Sequence, residues 1–139
     1  MSKLACRCGN IISDSAYPCP TEGELTSQRD SERLYSESTQ AIGAFVAALQ
    51  TGQRDTWIRN FFLSGYPTHA SNEAVISDIV SHFETKYRKS VAECDRCGRL
   101  WVQMHPGENQ YRSYAPDEEG YAEILRGASK EFSSGSPSS

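Results

Sequence analysis

Cys6-Arg7-Cys8-Gly9-Asn10-Ile11-Ile12-Ser13-Asp14 stands near the start of the chain, and Cys94-Asp95-Arg96-Cys97-Gly98-Arg99-Leu100-Trp101-Val102 lies far downstream. Both stretches read the same way: a cysteine pair, a glycine, then a short apolar run. Glycine after the second cysteine lets the backbone turn sharply and aim its amides at the sulfurs, and the apolar run that follows suits a strand. Each stretch therefore predicts a strand, a tight knuckle and a returning strand. The downstream pair has a two-residue spacer, whereas the first pair is one residue shorter.

Two thiolates on one knuckle fill only half of a tetrahedron. Zinc takes four soft or borderline ligands, so Cys6, Cys8, Cys94 and Cys97 together predict a single Zn2+ site that pins the amino terminus to the distant hairpin. With all four positions taken by sulfur no place remains for a water, which makes the site structural and not hydrolytic. Arg7, Arg96 and Arg99 are placed to offset its net negative charge. A redox dithiol at Cys94-x-x-Cys97 would require a helix after the pair, but Arg99-Leu100-Trp101-Val102 is strand-like. Of the five cysteines, Cys19 between Pro18 and Pro20 reads as an incidental loop thiol. His105 is near enough in sequence to replace a missing thiolate, while His69 and His82 read as surface histidines.

The composition fits one domain: 139 residues, 37% hydrophobic, enough for a modest core. Residues 1–132 are expected to form a single zinc-bound α+β domain, and the Ser-rich tail 133–139 has too little apolar surface to order itself. No apolar run approaches the roughly 18 residues of a membrane helix, and Met1-Ser2-Lys3-Leu4-Ala5 lacks the core of a signal peptide. A cytoplasmic location follows as an expectation, and reduced thiols there favour metal ligation over disulfides. The net charge of -4 argues against nucleic-acid binding, which needs a clustered excess of Lys and Arg. Acidic residues gather between Thr21 and Glu37 and at Asp117-Glu118-Glu119. Such patches suit a basic protein partner, although a single charged patch is more often a solvated face.

Periodicity fills in the middle. Pro18, Pro20 and Gly23 predict a loop over 15–27, with Ser27 or Asp30 as the cap of a helix over Ser31–Gln50. Leu34, Ile42, Phe45, Val46 and Leu49 supply its apolar face, and Thr51-Gly52 ends it. A shorter helix is expected from Asp55 or Thr56 to Leu63, stopped by Gly65. A third opens at Ser71-Asn72-Glu73 and carries Val75, Ile76, Ile79, Val80, Phe83 and Tyr87. Strands are expected at 91–94, 99–104 and 110–114, followed by a last helix over 117–126 stopped by Gly127. The fold class is thus α+β: a small antiparallel zinc-ribbon-like sheet, a helical insertion of about three helices between the knuckles, and a C-terminal helix.

With both knuckles and Tyr111-Arg-Ser-Tyr-Ala-Pro-Asp-Glu118 in view, the chain resembles a group of small bacterial proteins with a split zinc ribbon. That group's opening looks like Cys-x-Cys-Gly-x-Ile-Ile-Ser-Asp, which makes the short first knuckle a feature of the group. The resemblance covers roughly residues 4–14 and 90–120. In size, acidity and idiosyncratic middle the chain is also similar to immunity proteins of bacterial polymorphic toxin systems, with no motif attached. Trp101, Tyr111 and Tyr114 on strands expose some aromatic surface or else pack the strands onto the helices. No nucleophile and base pattern or phosphate-binding loop occurs; Ser13-Asp14 and the Tyr111–Tyr114 region are the nearest candidates for chemistry beside the metal. The expected function is a non-enzymatic, zinc-stabilised protein-binding module that neutralises a cognate bacterial toxin. The alternative is a zinc-ribbon accessory factor acting on nucleic acid or the transcription apparatus.

Overall fold

The computed structural model of the chain describes residues 3–13 and 18–127. Two compact units emerge: the residues up to Leu25 together with those from Lys89 onward, and an inserted segment from Thr26 to Arg88. Three helices and six strands among the described residues make the class α+β.

The inserted unit is helical, with α1 (Gln28–Gln50), α2 (Arg54–Phe62) and α3 (Asn72–Tyr87). Ser27 Oγ accepts the Asp30 amide and Ser71 Oγ the Ala74 amide, both at 3.1 Å, so each serine satisfies one donor that a helix start leaves unpaired. Leu34, Phe45, Ile58, Val75, Ile79, Phe83 and Tyr87 form the buried core, and burying side chains of this size stabilises by about 1.5–3 kcal/mol each. Val46, expected on the apolar face of α1, is 39% exposed, and Ala48 is buried in its neighbourhood of the helix. The Arg54 guanidinium donates to the carbonyls of Thr68 and Ala70 and to Asn72 Oδ1, which fixes the turn into α3. Leu63, with φ 66°, makes the exit from α2 where Gly65 was expected to.

The other unit holds two antiparallel sheets. In the smaller, β1 (Lys3–Ala5) pairs with β2 (Ile11–Ser13). In the larger, β3 (Glu22–Leu25), β4 (Lys89–Glu93), β5 (Leu100–Gln103) and β6 (Tyr111–Tyr114) lie side by side in that order. The first knuckle joins β1 to β2 and the second joins β4 to β5. Ala92 on β4 faces Trp101 on β5, and the unit's small core consists of Cys6, Ile12, Ala92 and Cys94, with Leu4, Cys97 and Trp101 packed against it. Both sheets thus meet at the cysteines.

Two expectations are corrected. The segment 15–27, expected to be a loop, contains β3. Glu22-Gly23-Glu24-Leu25 has neither alternation nor β-branched residues, so its own propensity is silent and pairing with β4 decides its conformation. A Cβ on Gly23 would stand 3.2 Å from the tip of the Leu125 side chain. The C-terminal helix expected over 117–126 is absent from those described residues. Glu93 explains this: only 1% exposed, its carboxylate accepts the amides of Ala122 at 3.2 Å and Ile124 at 3.0 Å. A helix would direct those amides to carbonyls four residues back, whereas bonds to a buried carboxylate are charge-assisted and stronger. The Gly120 amide is likewise engaged, donating to the Cys97 carbonyl at 3.1 Å. The Ser-rich tail 133–139 lies outside the described residues.

Candidate metal centre

Each knuckle is closed by the same pair of backbone bonds. In the first, the Gly9 amide donates to the Cys6 carbonyl at 2.9 Å and the Cys6 amide to the Asn10 carbonyl at 2.8 Å. In the second, the Gly98 amide donates to the Cys94 carbonyl and the Cys94 amide to the Arg99 carbonyl, both at 2.9 Å. The first spans three residues from carbonyl to amide and the second spans four. One fewer residue between the cysteines is thus absorbed by a tighter turn with the same closure. Gly9 and Gly98 both adopt positive φ, 98° and 81°, where a side chain is strained. They differ in surroundings: space around Gly9 is open, while a Cβ on Gly98 would lie 2.1 Å from the Gly120 carbonyl oxygen.

The turns bring Cys6, Cys8, Cys94 and Cys97 together, with all four sulfurs within 4.8 Å of one another. Cys6 and Cys97 sulfurs are 3.6 Å apart, and those of Cys8 and Cys94 are 3.7 Å apart. A disulfide bond is about 2.0 Å, so these are separate thiols. Metal–thiolate bonds of about 2.3 Å in a tetrahedron put the sulfurs about 3.8 Å apart, which the two cross-knuckle distances match. The four cysteines could therefore hold one metal ion, and among the described residues no other group of metal-ligating side chains converges in this way.

Hydrogen-bond donors surround the sulfurs. Asn10 Nδ2 donates to Cys94 Sγ at 3.4 Å and to Asp95 Oδ1 at 2.7 Å, so it ties the first knuckle to the second. The Arg96 amide also donates to Cys94 Sγ at 3.5 Å, and Trp101 Nε1 donates to Cys6 Sγ at 3.5 Å. Burial raises the Cys94 thiol, but the amides of Cys97 and Arg96 and the Asn10 side chain outweigh it and bring the value down to about 6. Cys6 follows the same logic: burial opposes ionisation, the Cys8 amide and the Trp101 indole favour it, and the net direction is down. Cys97 goes the other way, to about 12, through burial and the neighbouring sulfurs despite the Arg99 amide. Four thiolates this close cannot all be charged without a cation among them, and a metal ion supplies that charge.

The expected ligand set is thus brought together, and the other candidates are not part of it. Cys19 Sγ donates to the Ser13 carbonyl at 3.6 Å and lies 3.3 Å from Thr21 Oγ1. His105 is exposed on the turn after β5. Asp14 lies outside the described residues. Of the arginines expected to offset the site's charge, Arg99 directs its guanidinium to Ser113 Oγ at 3.3 Å. Asn10 and Trp101 were missed as partners of the sulfurs. A signal was available for Asn10, a donor directly after the knuckle glycine, and for Trp101, whose indole N–H is carried on the second returning strand. Tyr114 is 55% exposed, as one of the two readings of the strand aromatics expected.

The family model described as "Domain of unknown function (DUF8617)" matches residues 2–118. The chain belongs to the DUF8617 family. The DUF8617 match takes in both knuckles, the helical insertion and all six strands. No curated protein and no solved structure matches the chain. No helix among the described residues is long and apolar enough to cross a membrane.

Proposed function

We propose that Cys6, Cys8, Cys94 and Cys97 hold one structural Zn2+ and that the chain is a non-enzymatic, cytoplasmic protein-binding module. The observation that carries the zinc reading is the pair of cross-knuckle sulfur separations, 3.6 and 3.7 Å, which suit a zinc–thiolate tetrahedron. Structural zinc contributes about 10–16 kcal/mol of apparent binding free energy, comparable to the whole stability of a domain, about 5–15 kcal/mol. Four sulfur ligands leave no open position for a hydrolytic water, which supports a scaffold over a reaction centre.

For the partner we propose a cognate bacterial toxin that this chain neutralises. What supports it is the acidic cast of the sequence, net -4. A net negative charge favours a basic protein over nucleic acid as partner. The test is co-expression with the product of the adjacent gene. Co-purification of the two proteins, together with protection of cells from that product, supports the reading. Failure to bind or protect, or salt-dependent binding to DNA or RNA instead, contradicts it.

A further inference from the structure

We propose that Cys8 is the sulfur through which peroxides attack the metal centre, and that oxidation joins the knuckles by Cys8–Cys94 and Cys6–Cys97 disulfides as the zinc leaves. The inference rests on the zinc reading above and adds to it a chemical sensitivity of the same site.

Exposure separates the four cysteine residues. Cys6 and Cys94 are buried and Cys97 is half-buried, whereas Cys8 is exposed. Trp101 covers and hydrogen-bonds Cys6, and Asn10 and the Arg96 amide hydrogen-bond Cys94. Burial denies an oxidant approach to Cys6 and Cys94. An oxidant arriving from solvent meets Cys8. Its neighbour across the knuckles, Cys94, stands 3.7 Å away, so the second sulfur needs to move by less than about 2 Å to reach disulfide length.

The chemistry balances without further groups. The Cys8 thiolate attacks one oxygen of hydrogen peroxide, the O–O bond breaks, hydroxide leaves and a sulfenic acid forms. The Cys94 thiolate then attacks the Cys8 sulfur; an S–S bond forms, the S–O bond breaks and a second hydroxide leaves. Two thiolates have given two electrons to one peroxide. Cys6 and Cys97, already 3.6 Å apart, repeat the sequence with a second peroxide, and the ion loses all four ligands. Because both bridges run between the knuckles, the oxidised chain keeps its amino-terminal hairpin attached to the second knuckle.

The experiment uses the full chain, its zinc content measured first. Hydrogen peroxide is added with a chromogenic chelator present, and the disulfides are mapped by mass spectrometry at partial and full oxidation. The expected result is loss of about one zinc per chain, a Cys8–Cys94 bridge in the first oxidised species, and Cys6–Cys97 in the last. A Cys19→Ser variant is expected to release zinc at the wild-type rate. Bridges within the knuckles, Cys6–Cys8 and Cys94–Cys97, or faster oxidation at another cysteine, overturn this inference and leave the zinc reading intact. A chain purified without zinc under reducing conditions that takes up none on addition overturns both.

Discussion

Alanine at either knuckle glycine separates what the structure explains from what the motif alone implies. The sequence treats Gly9 and Gly98 alike, since each follows the second cysteine of a pair. Alanine at either site must adopt positive φ, 98° or 81°, at a cost of about 1–2 kcal/mol. Gly9→Ala stops there, because nothing lies within 4 Å of its new Cβ. Gly98→Ala also drives its Cβ to 2.1 Å from the Gly120 carbonyl oxygen and 2.9 Å from its carbon. Backbone must move by about an ångström, with an overpacking cost of about 1–3 kcal/mol. The Gly120 amide then loses its bond to the Cys97 carbonyl, worth about 0.5–1.5 kcal/mol. The total for Gly98→Ala is about 3–6 kcal/mol, which leaves little of a typical domain stability of about 5–15 kcal/mol. Guanidinium unfolding of both variants with excess zinc, followed by circular dichroism, measures the difference. Equal losses for the two variants would refute the packing of the 115–126 segment over the second knuckle.

Other outcomes follow from the same contacts. Glu93→Gln keeps the volume but leaves one of the two amides facing an NH2 group, so unfolding free energy falls by about 1–3 kcal/mol. Hydrogen exchange at Ala122 and Ile124 accelerates in that variant, and unchanged protection would count against Glu93 as the reason the segment is not helical. Ser71→Ala removes the cap of α3 and destabilises the inserted unit by about 1 kcal/mol, read from the denaturation midpoint; no shift would mean that the Ala74 amide finds another acceptor. Tyr66 is raised from 10.0 to about 12 by burial and then by its hydrogen bond to Asp78. Its folded value exceeds its unfolded one, so its contribution is complete below pH 10 and is lost as pH rises toward 12. Phenolate absorbance during a pH titration checks this, and Asp78→Asn should bring the Tyr66 transition down.

Much of the framework was legible in the residues. The cysteine pairs with their glycines announced two knuckles, because thiolates and a tight turn leave few other readings. The three helices followed from apolar spacing, with Ser27 and Ser71 at the starts of α1 and α3. What escaped the reading was decided by partners distant in sequence. β3 has no pattern of its own and forms because β4 offers an open edge. The helix expected over 117–126 has ordinary helical composition, yet Glu93, far back on β4, captures its amides. The donors to the sulfurs escaped for a related reason: a charge argument pointed to arginines, whereas Asn10 and Trp101 reach the sulfurs through the turn and the strand that carry them. The short first spacer looked like a departure from the usual pattern, and the bond from Gly9 to Cys6 absorbs it.

X-ray absorption at the zinc edge on the purified chain tests the central claim most directly. Four sulfur neighbours at about 2.3 Å, about one zinc per chain, and loss of that signal in Cys97→Ser are the predicted results. Nitrogen or oxygen scatterers in place of two or more sulfurs, or a chain that binds no zinc with its thiols reduced, would contradict the account.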